Sequence, residues 1–284
     1  MSGRQLWVTG AGGLIGSQFV RLAPTLAPHW SVRGLGRADL DLRDAKAIRH
    51  RFSQERPAAI IHCAAMSKTP ACQADPALAR QINVEATALL AELAAETPFI
   101  FLSTDLVFDG RLGNYDEAAA PNPLNVYAET KAQAEQVILR NPHHTVIRTS
   151  LNGGVSPTGD RGFNEETRNA LRSGRTLNLY TDEFRSPIAA LVTARAILEL
   201  LQRGAAGLFH IAGSERLSRW EIGQRLVARW GEGASQLRAG SLRDHTGPAR
   251  APDTTLDCAK ARALLSFPLP KFSEWLRDHP AEPF

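Results

Sequence analysis

Leu6-Trp7-Val8-Thr9-Gly10-Ala11-Gly12-Gly13-Leu14-Ile15-Gly16 is the stretch that decides the fold. The apolar Leu6, Trp7 and Val8 form a short β-prone run that stops at glycines. Leu14, Ile15, Phe19, Val20 and Leu22 then recur at helical spacing, and Pro24 should break the helix. Strand, glycine turn and helix in this order open a Rossmann βαβ unit. The glycines let the backbone turn tightly and approach a pyrophosphate with no Cβ in the way. The helix N-terminus adds unpaired N–H groups and the positive end of the helix dipole. The spacing Gly10-x-x-Gly13-x-x-Gly16 differs from the G-x-G-x-x-G of many dehydrogenases. Gly10, Gly12, Gly13, Leu14, Ile15 and Gly16 are the expected contacts of a dinucleotide.

Working outward, Ser31 to Arg37 should be the second strand and its exit. NAD-preferring proteins place an acid near this point to accept hydrogen bonds from the ribose 2′-hydroxyl. None stands here, and Arg33 and Arg37 are near. NADP(H) is therefore expected over NAD(H), with Arg37 facing the 2′-phosphate and Asp41-Leu42 at the adenine edge. Asp44 should cap a helix running to about Glu55. Ala58 to Ala65 reads as a buried parallel strand whose end, Ala64 and Ala65, lies against the cofactor. His62 within it reads as a satisfied core histidine. Pro70 to Pro76 is expected to be loop and Ala77 to Glu96 one long helix carrying Asn83, whose polar side chain could hold neighbouring backbone.

The 284 residues allow a full Rossmann layer and a modest second region. With 43% hydrophobic and 22% charged residues the composition is that of a soluble globular protein. The formal charge of +4 comes without any Lys/Arg-rich run, so no nucleic-acid partner is expected. Cys63, Cys72 and Cys258 are odd in number and lack metal-ligand spacing. They read as free thiols in a reducing compartment, and no metal is assigned. No apolar stretch is long enough to span a bilayer, and the first strand leaves no room for a signal peptide. A cytoplasmic location without membrane partners is expected, and a homodimer is compatible with it.

Phe99 to Asp105 should be the next buried strand, ending in Ser103, Thr104 and Asp105. In open α/β sheets ligands bind at the carboxyl ends of strands, which places these groups for chemistry. After a loop rich in Gly, Asn, Asp and Pro, Tyr127-Ala128-Glu129-Thr130-Lys131 opens a helix to about Arg140. Tyr127 and Lys131 are four apart and share one helix face. A phenol has a pKa of about 10 in water, and a nearby ammonium should lower it toward the working range. Thr104 would bind the substrate oxygen beside Tyr127.

Thr9-Gly10-x-x-Gly13-x-x-Gly16, Asn83, Ser103-Thr104-Asp105 and Tyr127-x-x-x-Lys131 together resemble an extended short-chain dehydrogenase/reductase. Ser103-Thr104-Asp105-x-Val107-Phe108-Asp109-Gly110 is narrower and resembles the dTDP-4-dehydrorhamnose reductase group. Arg148-Thr149-Ser150, Asp182 to Pro187, and Leu208 to Gly213 followed by Leu217-Ser218-Arg219 extend the likeness over nearly the whole chain. The resemblance implies NAD(P)H-dependent reduction of a 4-keto nucleotide sugar. It implies Thr104, Tyr127 and Lys131 as the catalytic set, Ser103, Tyr127 and Lys131 near the cofactor, and Thr104, Asp105 and Tyr127 at the sugar. The group usually has tyrosine where Leu106 stands and Trp-x-Tyr-Gly where Leu151-Asn152-Gly153-Gly154 stands. Those aromatic residues line its sugar pocket.

Past Ser150, Phe163 to Leu171 and Ile188 to Leu201 read as helices, Leu177 to Tyr180 and Leu208 to Ile211 as strands, and Ser218 as the N-cap of a helix to Trp230. Arg243, His245 and Arg250 lie in a loop, where they read first as solvated charge and could also meet a substrate diphosphate. The expectation is an α/β doubly wound parallel sheet, residues 1–149 and 187–204, with an interleaved α+β substrate lobe, residues 150–186 and 205–284. Its expected function is NADPH-dependent reduction of a 4-keto nucleotide sugar. The alternatives are a nucleotide-sugar epimerase or dehydratase, which would need further acid–base groups, and a non-catalytic NADP-binding regulatory subunit.

Overall fold

The computed structural model describes residues 4–284. Its central sheet has six parallel strands, in the spatial order 207–211, 145–149, 99–104, 59–62, 4–9 and 30–35. The strand Arg4–Thr9 pairs with Trp30–Leu35 on one side and Ala59–His62 on the other, so the winding direction reverses beside it. Such a reversal sends the crossover chains to opposite faces and opens a crevice at the carboxyl ends of the strands. Side chains alternate between the faces. Leu6, Val8 and Ile61 join a cluster with Phe19, Ile197 and Phe209, while Trp7 and Ile60 join one with Phe99, Phe101 and Val146.

Two glycines make the opening turn possible. Gly10 has φ +68°, and a Cβ there would lie 2.7 Å from the Ala64 nitrogen. A Cβ at Gly16 would lie 2.2 Å from the Gly10 carbonyl oxygen, so the helix could not seat on the turn. At Gly12 a Cβ would meet nothing within 4 Å, because that position faces the open crevice.

The helix expected to break at Pro24 runs from Leu14 to Leu26 with Pro24 inside it. The proline forfeits one hydrogen bond near the helix end. Phe19 and Ala23, both buried, hold the helix against Ala190–Gln202. Residues 70–76 are not all loop: Thr69–Ala74 is helical, with Pro70 in the first turn where its missing N–H is not needed. The single helix expected over 77–96 is Pro76–Arg80 and Ala86–Leu93 joined by a wide π turn, Gln81–Glu85. Asp44 caps Ala45–Glu55 as expected, accepting from the Lys46 and Ala47 N–H groups.

The second lobe is assembled from short strand pairs: Phe184–Arg185 with Leu217–Ser218, and Leu177–Tyr180 with Leu237–Gly240. The helices Phe163–Arg172 and Arg219–Trp230 pack around Leu171, Leu179, Val227 and Leu237. The strand Gly207–Ile211, expected in this lobe, is the edge strand of the central sheet, paired with Thr145–Thr149. Its short apolar run carries no mark of which sheet it joins. Gly153, where the resembling group has an aromatic residue, is backed by Phe284: a Cβ there would sit 2.1 Å from the Phe284 Cζ.

Candidate active site

Thr104 ends the strand Phe99–Thr104, and the helix Val126–Ile138 lays Tyr127 and Lys131 alongside it. Asn125 starts that helix. Its Oδ1 accepts from the Ala128 N–H at 3.1 Å, and its Nδ2 donates to the Ala249 carbonyl at 3.1 Å, tying this helix to the second lobe. Thr104 and Lys131 are buried and Tyr127 is half-buried.

Lys131 Nζ stands 3.8 Å from the Phe101 ring centroid and has no hydrogen-bond acceptor among the described residues. Burial pushes its ammonium down to about 7, while Glu135 and Cys63 pull it back up. Burial also pushes the Tyr127 phenol above its ordinary range; the nearby Asp105 adds to the rise and the Thr104 hydroxyl opposes it. The expected lowering of the Tyr127 pKa by Lys131 is thereby corrected. Desolvation and Asp105 outweigh the lowering by the Thr104 hydroxyl and Arg185, and the tyrosine holds its proton. A protonated phenol beside a hydroxyl-bearing strand end is a proton donor.

Two buried carboxylate–guanidinium pairs brace this set from behind. Asp105 is fully buried; Arg185 donates to it at 2.7 and 2.5 Å, Ser150 at 2.6 Å and Thr254 at 3.1 Å. The expectation that Asp105 touches the sugar is corrected: its oxygens are taken by protein donors and it has no exposed face. It positions Thr104, whose hydroxyl donates to it at 3.2 Å. Glu135 receives Arg148 through three contacts of 2.7 to 3.1 Å and the Ser103 hydroxyl at 2.5 Å. Ser103, expected at the cofactor, thus turns its hydroxyl into this network. Arg185 and Glu135 were not singled out from the sequence. Glu135 had a signal, since it follows Lys131 by one further helical turn; Arg185 lies 80 residues from its partner and had none.

On the other side of the crevice, the helix at Leu14 has no side-chain cap and no acidic residue in its first turn, which leaves its N–H groups for an anion. With the side-chain-free face of Gly12 above them, the residues present fit a dinucleotide pyrophosphate. Ala64 and Ala65 flank this turn; the Ala64 N–H donates to the Thr9 hydroxyl at 3.3 Å. Leu14 lies under the second-lobe loop, against Gly154 and Gly162. Arg37 is exposed with no ion pair among the described residues, whereas Arg33 stands 3.8 Å from Asp39. Asp41, expected at the adenine edge, is clasped by Arg43 at 2.6 to 3.1 Å, which holds its carboxyl down to about 2. Leu42 beside it is half-buried against the core cluster of Trp7 and Leu40.

Asn83 fastens the loop after Ala65. It accepts from the Met66 N–H at 2.8 Å and donates to the Met66 carbonyl at 3.0 Å and to Thr130 at 2.9 Å. His62 is the satisfied core histidine expected, bonded to Thr9 at 2.7 Å and Thr87 at 3.0 Å; burial pushes it down to about 3, so it stays neutral. Arg250, offered by the sequence to a diphosphate, is paired with Glu183 at 2.8 and 2.9 Å. His245 is held between Tyr180 and the Pro248 carbonyl, and the Arg243 side chain points to solvent. Among the described residues no cluster of ligating side chains could hold a metal ion, and no helix is long and apolar enough to cross a membrane.

A winding reversal over a side-chain-free turn, faced by Tyr127 and Lys131 on one helix, defines an extended short-chain dehydrogenase/reductase fold. Within that class the chain belongs to the RmlD substrate binding domain family, whose sequence profile matches residues 4–282. It is 30% identical to the probable low-salt glycan biosynthesis reductase Agl14 of Haloferax volcanii, over 87% of each chain. It is 28% identical to methionine adenosyltransferase 2 subunit beta of Mus musculus, over 92% of this chain and 82% of that one. Among solved structures, a hypothetical dTDP-4-dehydrorhamnose reductase from Sulfolobus tokodaii is 30% identical with a TM-score of 0.83, covering 94% of this chain and 96% of that one. The dTDP-4-dehydrorhamnose reductase of Bacillus anthracis in complex with NADP has a TM-score of 0.88 over 97% of this chain and 98% of that one; at 22% identity it speaks for the fold.

Proposed function

We propose that the protein is an NADPH-dependent reductase of a nucleotide-linked 4-keto sugar, similar to dTDP-4-dehydrorhamnose reductase. The observation that carries this is the convergence of Thr104, Tyr127 and Lys131 at the carboxyl end of one strand, in a fold whose glycine turn leaves Gly12 open. When bound, the nicotinamide supplies the hydride. Thr104 orients the carbonyl oxygen, and Tyr127 passes its proton to that oxygen as negative charge develops on it. The Lys131 ammonium, free of protein acceptors, holds the ribose hydroxyls and offsets the charge left on Tyr127. Arg37 takes the 2′-phosphate. The names of the relatives, a glycan biosynthesis reductase and dTDP-4-dehydrorhamnose reductases, support the substrate class. The reading makes this a cytoplasmic enzyme with neither nucleic acid nor membrane as partner.

Loss of NADPH absorbance on adding dTDP-4-dehydrorhamnose or another 4-keto nucleotide sugar tests the reading. Leu106 and Gly153 stand where the group carries aromatic walls, and a missing apolar contact costs about 1–3 kcal/mol of discrimination. A 4-keto sugar other than the deoxysugar is therefore expected to give the higher kcat/KM. The likeness to methionine adenosyltransferase 2 subunit beta supports a second reading, a cofactor-holding subunit. That reading takes over if NADPH binds, no keto sugar is reduced and a partner protein co-purifies.

A further inference from the structure

Arg219 sits where two walls of the crevice meet. Its backbone N–H donates to the Glu183 carbonyl at 2.9 Å, and its neighbours Leu217 and Ser218 pair with Arg185 and Phe184. Its guanidinium carbon stands 5.5 Å from the Phe163 ring centroid, on the helix that follows the loop over Leu14. The guanidinium thus lies between the strand pair that carries Arg185 and the helix that follows the cover of the glycine turn. Asp105 pairs with Arg185, and Glu183 pairs with Arg250 while also attracting Arg219. Arg219 is half-buried and has neither an ion pair nor a side-chain hydrogen bond among the described residues. Burial pushes its guanidinium down to about 10, with Arg185 and Arg250 adding to the drop and Glu183 and Glu166 opposing it. Arg185, Arg219 and Arg250 share the carboxylates of Asp105 and Glu183, and a partly desolvated cation with no hydrogen-bond acceptor of its own is a cost that an arriving anion lowers.

We propose that Arg219 binds the diphosphate of the nucleotide-linked substrate, its planar fork meeting phosphate oxygens while the Phe163 ring supports its flat face. The assignment rests on the nucleotide-sugar reading above, and it replaces Arg243, His245 and Arg250 as the anion contact. It also fixes the direction of the substrate: keto sugar at Thr104 and Tyr127, diphosphate toward Phe163, nucleoside beyond it.

The test is calorimetric titration of the NADPH-loaded full chain with dTDP, inorganic pyrophosphate and thymidine. Arg219→Met should weaken dTDP and pyrophosphate by about 10- to 100-fold and leave thymidine, NADPH affinity and Tm unchanged. Arg219→Lys, which keeps the charge without the fork, should lose less than Arg219→Met. Equal dTDP affinity in wild type and Arg219→Met overturns the assignment, as does an equal loss for thymidine, which would mean a damaged wall. Should Arg219→Met lower Tm, Arg219→Lys decides, and wild-type affinity for dTDP in that variant overturns the fork. A wild type that binds neither dTDP nor pyrophosphate overturns it outright. If pyrophosphate binds through Arg219 but dTDP binds no tighter, the anion site stands and the nucleotide-sugar reading falls.

Discussion

The wall of the crevice proposed for the cofactor is made of backbone from one short stretch, Thr9 to Gly16, whereas the wall proposed for the substrate is made of side chains from distant ones. Asp105 alone draws Ser150, Arg185 and Thr254 across 45, 80 and 149 residues of sequence. A backbone wall needs no matched charges, only glycines where the chain approaches itself. A side-chain wall made of charges must be complete, because one buried partner without the other is strongly destabilising. The substrate wall therefore binds the two lobes together as well as shaping the site.

The comparison breaks hardest at Tyr127. Tyr127→Phe should lower kcat by about 10²- to 10⁴-fold while NADPH affinity stays at the wild-type level, since only the proton donor is lost. Retention of most of the kcat would remove Tyr127 as the general acid.

Arg185→Met comes next. It leaves Asp105 buried and unpaired, and should cost about 3–5 kcal/mol in denaturant unfolding. Adding Asp105→Asn should recover part of the loss. A single-variant cost below about 1 kcal/mol, the size of an exposed pair, would show that the lobes are held together elsewhere.

On the cofactor wall the expected effect is smaller and selective. Arg37→Ala should weaken NADPH by about 10-fold and leave NADH unchanged, as loss of one exposed charge-assisted contact implies. Equal losses for both cofactors would take Arg37 off the 2′-phosphate.

The smallest effect is a slope. Lys131 is held down to about 7 in the fold against 10.5 for an ordinary lysine, so between those values the unfolded chain binds the extra proton and stability rises with pH. Cys63, pushed up to about 12 from 9.0, makes stability fall above pH 9, so the clean window is pH 7 to 9. Melting temperatures of Lys131→Met should lack the rise that wild type shows in that window; parallel curves would contradict the shift.

What was legible in the sequence follows the same division. Gly10, Gly16, the Asp44 cap and the Tyr127–Lys131 face are local patterns, and each reads directly into geometry. Asp105 was found but misassigned, because nothing within ten residues of it reveals that Arg185 and Thr254 will close over it. Arg250, read as solvated charge or a diphosphate contact, gave no sign of its partner Glu183, 67 residues away. Pro24 misled in the other direction: a proline rule holds for an isolated helix, and burial of Phe19 and Ala23 overrode it. The strand Gly207–Ile211 has the same apolar run whichever sheet it joins.

The wide turn at Gln81–Glu85 is an extra residue that the helix absorbs without shifting its flanks. Seen as helical phase, it is a reversible insertion. A chain one residue shorter there would recover a regular helix, with Ala79 and Leu90 still buried and the helical content hardly changed. Yet removing that residue ahead of Asn83 would swing its side chain by about 100° around the axis, away from Met66 and Thr130. The loop after Ala65 would lose its tether to the helix that carries Tyr127 and Lys131 while the circular dichroism spectrum reported an intact protein. In this chain, losing one residue at that turn should remove the Asn83 tether while leaving the helix itself in place.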